Sequence, residues 1–375
     1  MKEILLLDMD GVLLEPHGYH RALQKTVRLV GESLGYRALE LEQEFIFRFE
    51  AAGITSEWDS SAICLGLMLK ALWLQGMKTE IPHQLGDRSE EGSEPPRPDW
   101  GAFFGALEET SPAQDPLEKA LRVLQGNLPT HRQRELAQLL ERAHEVHRSL
   151  THRTFQELVL GSKIFAKTYG LSPHLDTAGY LSTHDHPTLS PSQTKAFQKT
   201  LTENRKAVLF TNRPSLPPGR EFGTPEAELG AQIVGLESLP LVGYGDMLWA
   251  AEDHDLNVNQ CRKPSPVHAL AALLTADGME KRSALGFSTR IIHQRQLDPV
   301  WGRLEGAHTY VFEDTPAGVK SLLNAQRVLD DAGVQLNVFP VGIAADKVKG
   351  AALSHLGAAV YPDLPSALSE LVELR

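Results

Sequence analysis

The sequence predicts an α/β protein, a doubly wound parallel sheet with a long helical block inserted after its first strand. Three observations carry that expectation. Ile4-Leu5-Leu6-Leu7 is an apolar run that stops at two acids, Asp8 and Asp10, followed by Gly11. Such a run is too short for an isolated helix and reads as a strand buried on both faces. Most of residues 15–204 carry apolar side chains at three- and four-residue spacing, the helical period. From Ala207 onward, short apolar runs alternate with helical segments, which implies a parallel sheet with right-handed crossovers. The expected domains are a core made of residues 1–14 and 205–375, and an all-α insertion over 15–204.

Within the insertion, helices are expected over His20–Ser33, Leu39–Ala51, Glu57–Gln75, Pro116–Leu124, Thr130–Ser149, Thr151–Tyr169 and Ser192–Asn204. Between Lys78 and Pro116 the composition shifts to Pro, Glu, Asp, Gly and Ser, around Glu90–Pro96, and reads as a long surface loop. Gly170–Pro191 reads as a second loop. In the core, strands are expected at Ala207–Phe210, Leu239–Val242 (weak), His308–Phe312, Asn337–Gly342 and Ala358–Tyr361. Helices are expected around Pro225–Leu236, from Lys263-Pro264-Ser265-Pro266 to Leu274, from Pro316 to Ala332, over Asp346–Leu356 and over Pro365–Leu374. Proline and serine suit the start of the helix after Lys263.

Composition bounds the function. With 375 residues and 42% hydrophobic content, the chain can bury a large core in two domains. A net charge of −11 argues against a nucleic-acid groove or an anionic membrane surface as main partner. Cys64 and Cys261 are far apart without metal-ligand spacing, as in a reducing cytoplasm. The apolar N-terminus is interrupted by Asp8 and Asp10 and lacks a small-residue cleavage site, so it does not read as a signal peptide. The greasiest run, Ile63–Leu74, falls short of the ~18 residues of a membrane span and carries Lys70. A soluble, cytoplasmic protein without a membrane partner is expected; the sequence leaves its oligomeric state open.

Chemistry concentrates in four loops. Two carboxylates at the carboxyl end of a buried parallel strand are costly without a partner, and open α/β sheets bind ligands at that edge. Asp8 and Asp10 stand there; Thr211-Asn212-Arg213 ends the second strand; Lys263 opens a helix; Glu313-Asp314 follows the fourth strand. A carboxylate attacking a phosphate dianion meets repulsion, which a cation and a lysine can offset. Mg²⁺ takes oxygen ligands and keeps several waters, so two or three protein acids suffice. Each piece alone has a plainer reading, as a turn, a strand-end hydroxyl, a solvated charge or a helix start. Together and in this order they favour a site.

Asp8-Met9-Asp10-Gly11-Val12 after a hydrophobic strand, then Thr211, Lys263 and Glu313-Asp314, resembles the four motifs of the haloacid dehalogenase-like (HAD) hydrolases across the whole core. The resemblance implies a Rossmann-like core with a helical cap inserted after the first motif. It also implies a Mg²⁺-dependent phosphatase acting on a small phosphorylated metabolite through an aspartyl-phosphate. On that footing Asp8 is the nucleophile, and Asp10 protonates the leaving group and later activates water. Asp10 must then be protonated for part of the cycle, which calls for burial or a neighbouring carboxylate. Thr211 and the following Asn212 amide bind phosphate oxygens, Arg213 is a substrate-binding candidate, and Lys263 neutralises the reacting groups. Asp8, the backbone carbonyl of Asp10, Glu313 and Asp314 form the Mg²⁺ shell. A phosphomutase uses the same chemistry and is the nearest alternative; a non-catalytic protein on the same core is the alternative of another class. Dehalogenation is disfavoured, since that branch needs neither the second Asp nor this metal pair. The insertion is larger than common helical caps, so the substrate is open.

Other clusters read as structural. His184-Asp185-His186 and His144/His147 lack the further ligands of a transition-metal site. Gly161, Gly170 and Gly179 read as helix ends or turns. Tyr19, His20 and Arg21 read as a solvated first helical turn.

Overall fold

In a computed structural model, which describes residues 2–86, 95–109, 115–219 and 223–371, the first strand is the middle of the molecule's main sheet. β1 (Glu3–Leu7) sends Ile4 and Leu6 into one buried apolar cluster and Leu5 and Leu7 into another. Successive strand residues point to opposite faces, so an unbroken apolar run marks a strand covered on both.

The chain continues through β2 (Leu14–Glu15), β3 (His186–Pro187), β4 (Arg205–Phe210), β5 (Leu241–Val242), β6 (His308–Glu313), β7 (Asn337–Ile343) and β8 (Ala359–Tyr361). Six of these form a parallel sheet in the order β5-β4-β1-β6-β7-β8. Helices Pro266–Ala276, Lys281–Thr289 and Pro316–Asp331 cover the Ile4 face; Pro191–Thr200, Glu226–Val234 and Leu364–Leu371 cover the Leu5 face. The arrangement is a doubly wound, Rossmann-like α/β core with helical insertions. Strands β4 and β5 extend to one side of β1, and β6, β7 and β8 to the other. The order therefore reverses at β1, and a crevice at the carboxyl ends of the strands is expected there.

The chain divides into two compact units, residues 1–16 with 185–375, and residues 17–184. The sequence reading extends the helical block to 204. The unit instead ends at His184, because Phe197 of helix Pro191–Thr200 is fully buried in the sheet's own core. The two segments that leave and re-enter the core pair antiparallel as β2 and β3.

The helical unit is built around Glu57–Leu74, whose residues Ala62–Leu69 are all buried. Helix Trp100–Glu108 lies where a loop is expected. Asp99 caps it by accepting from the Ala102 amide (2.8 Å), and Trp100, Phe103 and Phe104 are buried, an aromatic signal masked by the surrounding Pro and Glu. The acidic run at 87–94 and the C-terminal residues 372–375 lie outside the described residues. So do residues 110–114 and 220–222. The expected helix Thr130–Ser149 stops at Glu141; Ala143 and Val146 keep helical spacing and burial through turns until Ser149 caps the next helix. The expected helix Thr151–Tyr169 is two, broken at Gly161, where the chain turns against Gly179. The expected Gly170–Pro191 loop holds the short helix Tyr180–His184 and β3. Helix Tyr244–Asp253, in the sheet-bearing unit, has no counterpart in the sequence reading. No helix among the described residues is long and apolar enough to cross a membrane.

Candidate active site

All the acids that the sequence reading singles out for chemistry stand at the carboxyl edge of the sheet. Asp8 is the residue after β1, and its amide still donates to Phe312 O of β6 (3.0 Å), so the carboxylate is held at the end of a regular ladder. Helix Pro266–Ala276 runs back under the sheet from this edge. Lys263, just before it, sends its ammonium group between the strand ends. Its Nζ donates to Asp8 Oδ1 (2.8 Å), to Glu313 Oε1 (2.5 Å) and to the carbonyl of Phe210 (2.7 Å), and is 3.9 Å from the Phe210 ring centre. Asp8, Lys263 and Glu313 are all buried. One buried cation thus ties together the ends of β1, β4 and β6.

A second cation ties the neighbouring loop. Arg213 donates through Nε to both oxygens of Asp10 (2.8 and 2.9 Å) and through Nη2 to Asp10 Oδ1 (2.6 Å). The same Nη2 donates to Asp185 Oδ2 (2.7 Å). The Arg213 and Asp185 side chains are 1% and 0% exposed, that of Asp10 36%. The structure therefore turns Arg213 onto two acids, where the sequence reading opens it to substrate. It also gives Asp10 a guanidinium neighbour and partial exposure, in place of the close burial expected for it. Thr211 is buried, and its hydroxyl accepts from the Arg213 amide (3.1 Å); Asn212 is exposed at the strand end.

Asp314 accepts from Lys349 Nζ (3.1 Å). Gly11 sits against it with φ of 74°, and a Cβ there would overlap the Asp314 carboxylate. Gly318, in the first turn of the helix after β6, plays the same part for Glu313: any Cβ at 318 would occupy the place of Glu313 Oε1. Asp8, Glu313 and Asp314 each offer an oxygen within 4.8 Å of the others, the one such group among the described residues. Three hard carboxylate oxygens fit a Mg²⁺-type cation, which favours oxygen ligands and fills its remaining positions with water. The Asp10 carboxylate, engaged by Arg213, is not in this group.

Electrostatics follow from that crowding. Burial pushes the Asp8 carboxyl up to about 6, with the charges of Asp314 and Asp10 adding and Lys263 opposing. Burial and the Asp8 charge push Glu313 up to about 8. Burial also raises Asp314, against the pull of Lys349. Lys263 loses hydration, yet Asp8 and Glu313 more than compensate and hold it above the ordinary lysine value. Burial and the Lys263 charge push His268 down to about 3, so its neutral ring donates from Nε2 to Val242 O (3.1 Å) and packs edge-on against Phe210.

Asp185 and Lys349 belong to this constellation and are absent from the sequence reading of it. The signal for Asp185 is an acid at the point of re-entry into the core; for Lys349 the sequence carries none. Two further histidines of the sequence reading have structural partners: His144 meets Asp59 (2.7 Å), a carboxylate the sequence does not place, and His20 meets Glu50 (3.2 Å) and Gln43 (2.9 Å). Tyr19 stacks on Phe155. Cys64 and Cys261 are buried free thiols.

No protein-family model and no curated protein matches the chain. Two solved structures are similar to it. One, an X-ray structure from the Northeast Structural Genomics Consortium, aligns over 100% of both chains with a TM-score of 0.66 at 16% identity. The other, a phosphatase from Thermococcus thioreducens, covers 94% of this chain and 99% of its own with a TM-score of 0.45 at 14% identity. The first shows a shared fold across the whole chain.

Proposed function

We propose that this protein is a HAD-like phosphatase that hydrolyses a small phosphate monoester through an aspartyl-phosphate on Asp8, with Mg²⁺ as cofactor. The observation that carries the reading is Lys263 Nζ lying 2.8 Å from Asp8 and 2.5 Å from Glu313, with Asp314 beside them, at the reversal point of the sheet. Three chain segments meet there at a position with little value for stability, since buried acids gathered around one lysine destabilise a fold unless a further cation joins them.

Asp8, Glu313 and Asp314 would hold the metal, which when bound supplies positive charge to offset that of the phosphate. Asp8 attacks phosphorus, forming the acyl-phosphate bond as the ester P–O bond breaks, and Asp10 gives its proton to the departing alkoxide oxygen. Water then attacks the aspartyl-phosphate, Asp10 takes the water's proton, and phosphate leaves with Asp8 regenerated. Lys263 neutralises Asp8 and the phosphoryl oxygens in both steps, and the Thr211 hydroxyl and the Asn212 amide, directly after β4, donate to those oxygens. The helical unit, inserted by chain order between the acid loop and Asp185, is the part available for choosing the leaving group.

A phosphate-release screen over metabolite phosphates, with Mg²⁺ and with chelator, tests the proposal. Metal-dependent release of inorganic phosphate is expected. Isomerised phosphate esters without release would make the protein a phosphomutase, and inactivity on every ester would remove the reading.

A further inference from the structure

The Arg213 cluster asks for an explanation that the phosphatase reading does not supply. Asp10 must present one defined oxygen to the leaving group, yet it stands on a loop that has just left the sheet. The turn is tight: Leu13 and Leu14 amides donate to Met9 O (2.9 and 2.8 Å), and the Gly11 amide donates to Leu14 O (2.8 Å). Those bonds fix the backbone and leave the Asp10 side chain to be oriented by its contacts. Arg213 supplies such contacts, its planar fork gripping both oxygens; a lysine would supply a point charge without that directionality.

Arg213 in turn has to be held. Its side chain is 1% exposed, and Asp185, whose side chain is fully buried, accepts at 2.7 Å from the same Nη2 that donates to Asp10. Asp185 is placed by the pairing that brings the chain back into the core. Leu14 faces Pro187 and Glu15 faces His186, while the Thr188 amide and hydroxyl donate to Leu13 O (3.0 Å) and Val12 O (2.6 Å). Both ends of the Asp10–Arg213–Asp185 chain are therefore anchored on the same turn.

Resting on the phosphatase reading, we propose that Asp185 is a positioning residue for proton transfer: it fixes the Arg213 guanidinium, which aims the Asp10 carboxylate at the leaving-group oxygen. Asp185 touches neither substrate nor metal. Its effect is confined to the two steps in which Asp10 moves a proton, delivery to the departing alkoxide and removal from the attacking water.

Leaving-group chemistry separates this role from a structural one. Cleavage of ethyl phosphate needs a proton delivered to the alkoxide, whereas 4-nitrophenolate departs without one. With Mg²⁺ present, Asp185→Asn is expected to lower kcat/KM, which reports only the steps up to departure of the leaving group, about 10- to 100-fold for ethyl phosphate, the usual effect of losing an outer-shell partner, and no more than about 3-fold for 4-nitrophenyl phosphate. In an Asp10→Asn background, the same substitution should add no further selective loss, since residues acting as one unit are non-additive. Equal losses on both esters, or a selective loss that persists without Asp10, overturn the assignment. If Asp185→Asn does not fold, Asp185→Glu, which keeps the charge and displaces the carboxylate by one methylene, is expected to show the same selectivity in weaker form; equal losses again overturn it. A wild-type protein inactive on both esters overturns the phosphatase reading and this assignment with it, whereas an active wild type with unselective variants overturns this assignment alone.

Discussion

The two edges of the same parallel sheet are wired in opposite ways. At the amino edge, Asp277, which follows helix Pro266–Ala276, accepts from Lys2 (2.6 Å) and Arg303 (2.7 Å), with Lys206 3.7 Å away. Nearby, Arg205 pairs with Glu3 (2.5 Å). At the carboxyl edge, Asp8, Asp10, Asp185, Glu313 and Asp314 share Lys263, Arg213 and Lys349. The carboxyl groups respond in opposite directions. Burial alone would raise Asp277, but its cations hold it below the ordinary value, while burial drives Asp8 and Glu313 above theirs. One edge satisfies its acids and so closes the core. The other leaves acids under-compensated in a buried place, the environment in which functional groups cluster.

The comparison breaks most visibly at Asp8. Asparagine has a similar shape and almost no nucleophilicity, so Asp8→Asn should lower phosphate release by about 10⁴-fold or more while the far-ultraviolet circular dichroism stays that of the wild type. Mass spectrometry of rapidly quenched wild-type protein should find phosphate on Asp8. Turnover by Asp8→Asn at the wild-type rate, in a preparation cleared of contaminating phosphatases, would end the proposed mechanism.

Metal and pH sharpen it next. Asp8 and Glu313 hold their protons more tightly folded than unfolded, so between about pH 4 and pH 8 the folded protein binds more protons. Their contribution is full below the unfolded values and fades as pH rises through about 6 and then about 8. Mg²⁺ competes with those protons for the same carboxylates, so its stabilising effect should grow over the same interval. At about 100-fold excess over its Kd, Mg²⁺ should add about 2.7 kcal/mol at pH 8, and much less at pH 5. Thermal unfolding with and without Mg²⁺ across this range reads it. A Mg²⁺ increment independent of pH would place the ion away from these acids.

The local packing that keeps the acids together is a smaller lever. Gly318→Ala puts a methyl group where Glu313 Oε1 lies, so Glu313 must rotate off Lys263 and out of the group formed with Asp8 and Asp314. A 10-fold or so loss of Mg²⁺ affinity by calorimetric titration is expected, with the helix that carries Gly318 otherwise intact. Unchanged affinity would show that Glu313 is dispensable to the ion.

How far the sequence reached follows the same division. Asp8, Lys263, Glu313 and Asp314 are legible because each adjoins a strand end or a helix start, so their neighbours in sequence announce their place. The sheet is legible for the same reason: β1 and the carboxyl-terminal parts of β4, β6 and β7 are short apolar runs that are buried. Arg213 is visible as a residue and opaque as a contact, since its partners lie 203 residues before it at Asp10 and 28 before it at Asp185. Asp185 reads as part of a histidine cluster until the pairing of β2 with β3 carries it to the acid loop. Helix Trp100–Glu108 is hidden by composition, its aromatic face set among prolines and acids. Asp277 gives no sequence signal because its cations come from the chain start, β4 and the segment before β6.

Asp277 is the sharpest control, because its effect should be stability without chemistry. Its side chain is 4% exposed, while those of Lys2, Lys206 and Arg303 are 30%, 31% and 47% exposed. Asp277→Asn removes the charge and leaves three cations that water can still reach, so the loss should be about 1–2 kcal/mol, well below that of stranding a fully buried ion. Its pH dependence has the sign opposite to that of the carboxyl edge. A carboxyl held below its ordinary value, about 3.9, stabilises the folded state above that pH and loses the contribution as pH falls further. The gap between wild type and Asp277→Asn should therefore be widest near neutral pH and close in acid. Denaturant unfolding of both proteins at pH 7 and pH 3 measures the gap, and phosphate release at pH 7 should be the same for the two. A fall in turnover that outlasts correction for the folded fraction would mean that the two edges communicate through helix Pro266–Ala276, which starts beside Lys263 and ends at Asp277.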